Sequence, residues 1–257
     1  MNRMLFRTAF AVFFFVGCNE MRAKDPPLLE KLVYKDAAGK ELPYRLLKPQ
    51  NADPAKKYPL VVLLHGAGER GTDNEKQLTH GVAAFTSKDA LEKYPCFMIV
   101  PQCPNSTKWV DVDWSANSHV MPKEMTDPSR LTIELIRKLL KDEPIDPKRV
   151  YLTGLSMGGY GTWDLAARFP DLFAAIAPVC GGGDEATAAT IKDLPIWAFH
   201  GAKDTVVKTI RSKNMIAAIE KAGGKPKYTE YPTIGHNAWT PAYADPELMK
   251  WLFEQKK

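Results

Sequence analysis

The segment Gly154-Leu155-Ser156-Met157-Gly158 sets a hydroxyl between two glycines. A strand-like run, Val150–Thr153, precedes it and a helical pattern follows. A serine on such a strand-to-helix turn is held out from the sheet in a strained conformation, and the flanking glycines let the chain turn that tightly. A serine hydroxyl is a weak nucleophile at neutral pH, so it needs a base to take its proton. The base in turn needs a carboxylate to fix its tautomer and stabilise its charged form. Of the five histidines only His200 and His236 follow Ser156. His236, in Gly235-His236-Asn237, leaves room for an acid between nucleophile and base, the chain order that goes with this kind of turn. Two aspartates compete for the third place. Asp204 stands in His200-Gly201-Ala202-Lys203-Asp204 just past an apolar run, and that spacing favours it; Asp184, after Gly181-Gly182-Gly183, reads better as a helix cap. Asp193, Glu230 and Asp245 read as solvated or capping residues, and His65, His80 and His119 as structural or substrate-side.

Attack on a carbonyl develops negative charge on oxygen, which backbone amides can hold. The amide after the nucleophile, Met157, is one candidate donor. Ala67, in the loop after His65-Gly66, is the second, with Gly68 beside it to let the chain turn.

These groups need a scaffold that brings distant loops to one edge. Tyr58–Leu64 is a continuous apolar run, as expected of a strand buried on both faces, and similar runs are Phe97–Val100, Val150–Thr153, Ala174–Ala177 and Ile196–Phe199. Helical patterns lie between them: Leu131, Leu135, Ile136, Leu139 and Leu140 share one face behind Asp127 or Ser129 as a cap. Others cover Gly158–Phe169, Ile210–Ala222 closed by Gly223-Gly224, and about Pro246–Gln255 behind Asp245. Lys31–Tyr34 and Tyr44–Leu47 read as an opening antiparallel hairpin, and Tyr228–Tyr231 as a last strand. The alternation predicts an α/β fold, a mostly parallel central sheet with helices on both faces, in one domain over 19–257.

At 257 residues, 45% hydrophobic and 25% charged, the chain has a composition that excludes disordered, collagen-like and coiled-coil classes. Its formal net charge of +5 is scattered without like-charge runs, so no nucleic-acid partner is expected. Residues 1–18 read as a signal peptide: Arg3 and Arg7 accompany an apolar stretch from Leu5 to Val16. Those residues would make a helix of about 18 Å, short of a bilayer core of roughly 30 Å. The stretch ends in Phe15-Val16-Gly17-Cys18, which resembles a bacterial lipobox and marks Cys18 for lipidation. Residence in the cell envelope is expected, with secretion as the alternative and a lipid anchor as the membrane link. Four cysteines make no disulfide scaffold. Cys96 and Cys103 bracket a strand and cannot bridge. Cys103 and Cys180 could pair through their loops, with free buried thiols the favoured state.

On Leu64-His65-Gly66-Ala67-Gly68-Glu69-Arg70-Gly71, Pro101-Gln102-Cys103-Pro104, the Ser156 segment through Trp163, His200–Asp204 and Gly235–Trp239, the chain resembles the α/β-hydrolase superfamily. It is similar, more closely, to the predicted peptidase or esterase group related to polyhydroxybutyrate depolymerases, feruloyl esterases and prolyl-oligopeptidase-type catalytic domains. The resemblance runs from about Lys31 to Gln255 and implies a Ser156–His236–Asp204 triad with no cofactor and no metal. The expected activity is serine-dependent cleavage of a small carboxylic ester, on aromatic or sugar esters among others. A serine peptidase acting on small peptides is the second reading, and a degenerate hydrolase that only binds glycans the third. The polar stretch 104–126 is expected to form a rim or lid, with Trp114 or Trp109 able to stack on substrate or to pin the loop. Trp239, three residues past His236, is expected to line the cleft. Glu69 and Arg70 are expected to shape the oxyanion loop through an ion pair, the alternative being Arg70 on a substrate carboxylate.

Overall fold

A computed structural model describes residues 28–50 and 52–257. The signal segment and Cys18 lie outside the described residues. Eight strands form one sheet: β1 (Leu29–Lys35), β2 (Glu41–Leu47), β3 (Tyr58–Leu64), β4 (Phe97–Pro101), β5 (Ile145–Leu155), β6 (Ala175–Val179), β7 (Trp197–Gly201) and β8 (Lys227–Tyr231). Their spatial order is β1-β2-β4-β3-β5-β6-β7-β8. The opening hairpin is antiparallel, as is β2 against β4. From β4 to β8 every pairing is parallel.

Alternation of side chains explains why the central strands are apolar throughout. Leu60, Val62 and Leu64 of β3 pack into one core with Phe97 and Ile99 of β4 and Val150 and Leu152 of β5. Val61, Leu63, Met98, Val100 and Tyr151 point the other way into a second core. Each such side chain, fully buried, contributes about 1.5–3 kcal/mol relative to exposure. The first core is covered by α3 (Asp127–Asp142), α4 (Met157–Arg168) and α5 (Ile210–Lys221). The second is covered by α1 (Ala83–Thr86), α2 (Lys88–Lys93), α6 (Trp239–Ala244) and α7 (Pro246–Glu254). Asp245 caps α7 through the Glu247 amide, and α5 closes on Gly223 at φ +93°.

One expected cap is corrected. The residue ahead of α3 is Thr126, and neither Asp127 nor Ser129 caps it. The Thr126 and Ser129 hydroxyls instead donate to the Trp109 carbonyl, at 2.9 and 2.6 Å, tying the preceding loop to the helix.

Candidate active site

Parallel strands place their C-terminal ends at one edge, the usual site of ligand crevices in open α/β sheets. Ser156 follows β5, Asp204 follows β7 and His236 follows β8. Ser156 sits at φ +53° and ψ −117°, a conformation costly for a residue with a Cβ. The turn survives because neighbouring backbones interlock: a Cβ on Gly158 would overlap the Leu64 carbonyl, and one on Gly154 the Gly158 carbonyl. The Ser156 amide donates to the Val179 carbonyl at 2.9 Å.

A continuous hydrogen-bond chain results. Ser156 Oγ is 2.9 Å from His236 Nε2, and His236 Nδ1 is 2.7 Å from Asp204 Oδ2. The other oxygen, Asp204 Oδ1, accepts from the Val206 and Val207 amides, each at 2.9 Å. Burial by itself would raise the Asp204 pKa. Hydrogen bonds from His200, His236 and the two amides outweigh it and hold the carboxyl below the usual carboxylate range. Asp184, the rival acid, caps a short turn through the Ala186 amide at 3.0 Å and accepts from the Met121 amide at 2.8 Å.

His200 is a residue whose part sequence reasoning missed. Fully buried, it places Nε2 at 3.2 Å from Asp204 Oδ2 and 2.9 Å from the Val207 carbonyl. Two acceptors there put the hydrogen on Nε2, so one carboxylate oxygen receives two imidazoles. The signal available was its position four residues before Asp204. His200 Nδ1 lies 2.7 Å from Ser212 Oγ.

Met157 opens α4, so its amide has no intrahelical carbonyl to bond. Ala67 opens a short 3-10 turn, Ala67–Glu69, after β3. His65, fully buried, ties that loop to β4: its Nε2 accepts the Cys103 amide at 2.9 Å, and its Nδ1–H donates to the Gly66 carbonyl at 2.6 Å. Burial lowers its pKa to about 4.

The expected Glu69–Arg70 ion pair does not form. Arg70 donates to the carbonyls of Ala67, Asn105 and Thr107, while Glu69 turns the other way and faces His80 Nε2 at 3.8 Å. Trp239 is half-buried and sets its ring against His236 edge-on, centroids 5.2 Å apart, and against His80 at 5.3 Å.

Stretch 104–126 is a fastened rim. Trp109 is completely buried and its indole donates to the His65 carbonyl at 3.0 Å, so it pins the loop. Trp114 is half-buried against the first core, with Lys108 over its ring and its carbonyl bonded to the Tyr160 hydroxyl at 3.2 Å. Farther along, the buried Arg211 donates to the carbonyls of Ala116 and Gly183 and to His119 Nδ1. Arg168 donates to the carbonyls of Pro122 and Lys123.

Cys96, Cys103 and Cys180 are free and buried. Among the described residues, Cys180, Asp204 and His236 are the one group whose donor atoms approach a metal-like cluster. Those atoms are already engaged: Asp204 holds His236, and the Cys180 thiol donates to the His236 carbonyl at 3.1 Å. Burial raises that thiol pKa to about 12, which works against the thiolate a metal would need.

A mostly parallel eight-stranded sheet covered on both faces, with a strained serine leading into a helix and a histidine and aspartate on later strand ends, defines an α/β-hydrolase. The chain belongs to the phospholipase/carboxylesterase family, whose profile matches residues 50–245. Among solved structures it is similar to a thermostable esterase, with 42% identity and a TM-score of 0.83 over 90% of this chain and 64% of that one. It is 29% identical over 133 residues to poly(3-hydroxyalkanoate) depolymerase C of Paucimonas lemoignei, covering 48% of this chain and 28% of that protein. It is 26% identical over 174 residues to a bifunctional acetylxylan esterase/xylanase of Neocallimastix patriciarum, covering 68% and 23% respectively. The chain thus spans about a quarter of the length of these two relatives.

Proposed function

We propose that the protein is a serine carboxylesterase working through an acyl-enzyme. The carrying observation is the unbroken chain Ser156–His236–Asp204 at 2.9 and 2.7 Å. Ser156 Oγ attacks the ester carbonyl while His236 Nε2 takes its proton. The tetrahedral oxygen is held by the Met157 and Ala67 amides. His236 returns the proton to the departing alcohol, leaving Ser156 acylated. Water then repeats the cycle, releasing the acid and restoring the hydroxyl. Asp204 keeps its proton off throughout and stabilises the imidazolium. Aromatic or sugar esters are the substrate classes this reading favours, and the likeness to an acetylxylan esterase supports the sugar esters.

The test is labelling with a fluorophosphonate followed by turnover of p-nitrophenyl, feruloyl and sugar acetate esters beside peptide anilides. Labelling of Ser156 with ester turnover, both lost in Ser156→Ala and His236→Ala, is expected. Preferential cleavage of anilides would make it a peptidase, and no labelling of folded protein a binding module.

We also propose that the chain is exported and lipidated on Cys18, supported by the apolar Leu5–Val16 stretch and the Phe15-Val16-Gly17-Cys18 ending. Incorporation of radiolabelled palmitate, lost in Cys18→Ser, is expected; unchanged labelling would overturn it.

A further inference from the structure

Glu69 stands at an unusual place for a carboxylate. The point where a Cβ on Gly66 would lie is 2.9 Å from Glu69 Oε2 and 3.6 Å from the Ser156 Cβ, so the acid and the nucleophile flank the same spot. The Glu69 side chain is only 14% exposed. Among the described residues no donor hydrogen-bonds its carboxylate, and His80 Nε2, at 3.8 Å, is beyond hydrogen-bond reach. His80 leans on Trp239, and Trp239 on His236. Ser156, His236, Trp239, His80 and Glu69 therefore close a ring around one corner of the cleft.

That corner belongs to the alcohol half of an ester, because the departing oxygen must lie within hydrogen-bond reach of His236 Nε2. With no protein donor within hydrogen-bond distance among the described residues, the Glu69 carboxylate is free to accept from hydroxyls that a substrate brings. The indole supplies an apolar face.

Resting on the esterase reading above, we infer that Glu69, His80 and Trp239 form a subsite for a sugar alcohol, whose ring lies on Trp239 and whose hydroxyls donate to Glu69. The subsite makes the enzyme selective for sugar esters over equally bulky esters without hydroxyls.

The experiment compares an acetylated methyl xyloside with cyclohexyl acetate, a ring of the same size with no hydroxyl, in the full chain and in Glu69→Gln. Expected is a fall in kcat/KM of about tenfold or more on the sugar ester, with cyclohexyl acetate within about twofold. An equal fall on both would make Glu69 a brace for the oxyanion loop, and no fall on either would remove it from the site; each overturns the inference. A larger loss on an aminocyclohexyl acetate would make it a cation site and overturn it too. Binding of methyl xyloside to Ser156→Ala, followed by tryptophan fluorescence with and without Glu69→Gln, reads the subsite without turnover. If neither ester is cleaved, the esterase reading fails. Xyloside binding weakened by Glu69→Gln would then still support the sugar subsite, and absent or unchanged binding would overturn it.

Discussion

Acid should loosen the oxyanion loop through one buried imidazole. His65 is neutral in the fold: a proton on Nε2 would break its bond with the Cys103 amide, and burial lowers its pKa to about 4, aided by Arg70. Unfolded, the same histidine titrates near 6.5. Between those values the unfolded chain binds a proton that the folded chain does not, so stability falls as pH drops through the window and levels off below it. From pH 7.5 to 4.5 the difference amounts to about 2–3 kcal/mol for this group, at 1.36 kcal/mol per pKa unit. His65→Gln removes the titrating group and keeps an amide able to donate and accept. Urea unfolding of both proteins at the two pH values isolates the contribution, because every other titrating group is common to both. The wild type should lose about 2–3 kcal/mol more than the variant on acidification. Equal losses would mean that His65 is protonated in the fold and that the assigned tautomer is wrong.

Asp204→Asn should lower kcat by about 10⁴ with the fold intact, since the amide no longer fixes the His236 tautomer. Asp184→Asn should leave kcat nearly unchanged, and the reverse outcome in steady-state assays would transfer the acid to Asp184. His200→Asn removes one of the two imidazoles on Asp204 and should cost about tenfold in kcat on a small acetyl ester with KM unchanged; an unaltered kcat would make His200 a packing residue. Trp239→Ala should raise KM severalfold for bulky esters while sparing kcat, whereas a uniform loss of kcat on all esters would show that its edge contact positions His236.

Features written in short contiguous segments were legible before the fold. β3, β4 and β5 declare themselves by unbroken apolar runs because both of their faces are covered. The order Ser156, Asp204, His236 could be read because strand-end loops of a parallel sheet all open to one edge. Where several loops meet, the sequence is silent. Nothing local says that Glu69 turns from its neighbour Arg70 toward His80, because the carbonyls that draw Arg70 away belong in part to residues 105 and 107. Thr126 and Ser129 have the chemistry of caps, and the Trp109 carbonyl captures both hydroxyls. His200 competes for the role of base on paper, and only packing reveals that it sits beneath Asp204, with no opening to the cleft.

The rim over 104–126 is fastened largely by its main chain. Arg70, Tyr160, Arg211 and Arg168 all grip carbonyl oxygens along it, at Asn105, Thr107, Trp114, Ala116, Pro122 and Lys123. Every amino acid supplies a carbonyl, so the path of this segment is indifferent to many of the side chains it carries. Positions such as Asn105, Ala116 and Lys123 are therefore interchangeable parts on a fixed track. A library that randomises them should yield folded, active proteins that differ in substrate preference, while one that randomises the gripping arginines should mostly yield proteins whose rim has come loose.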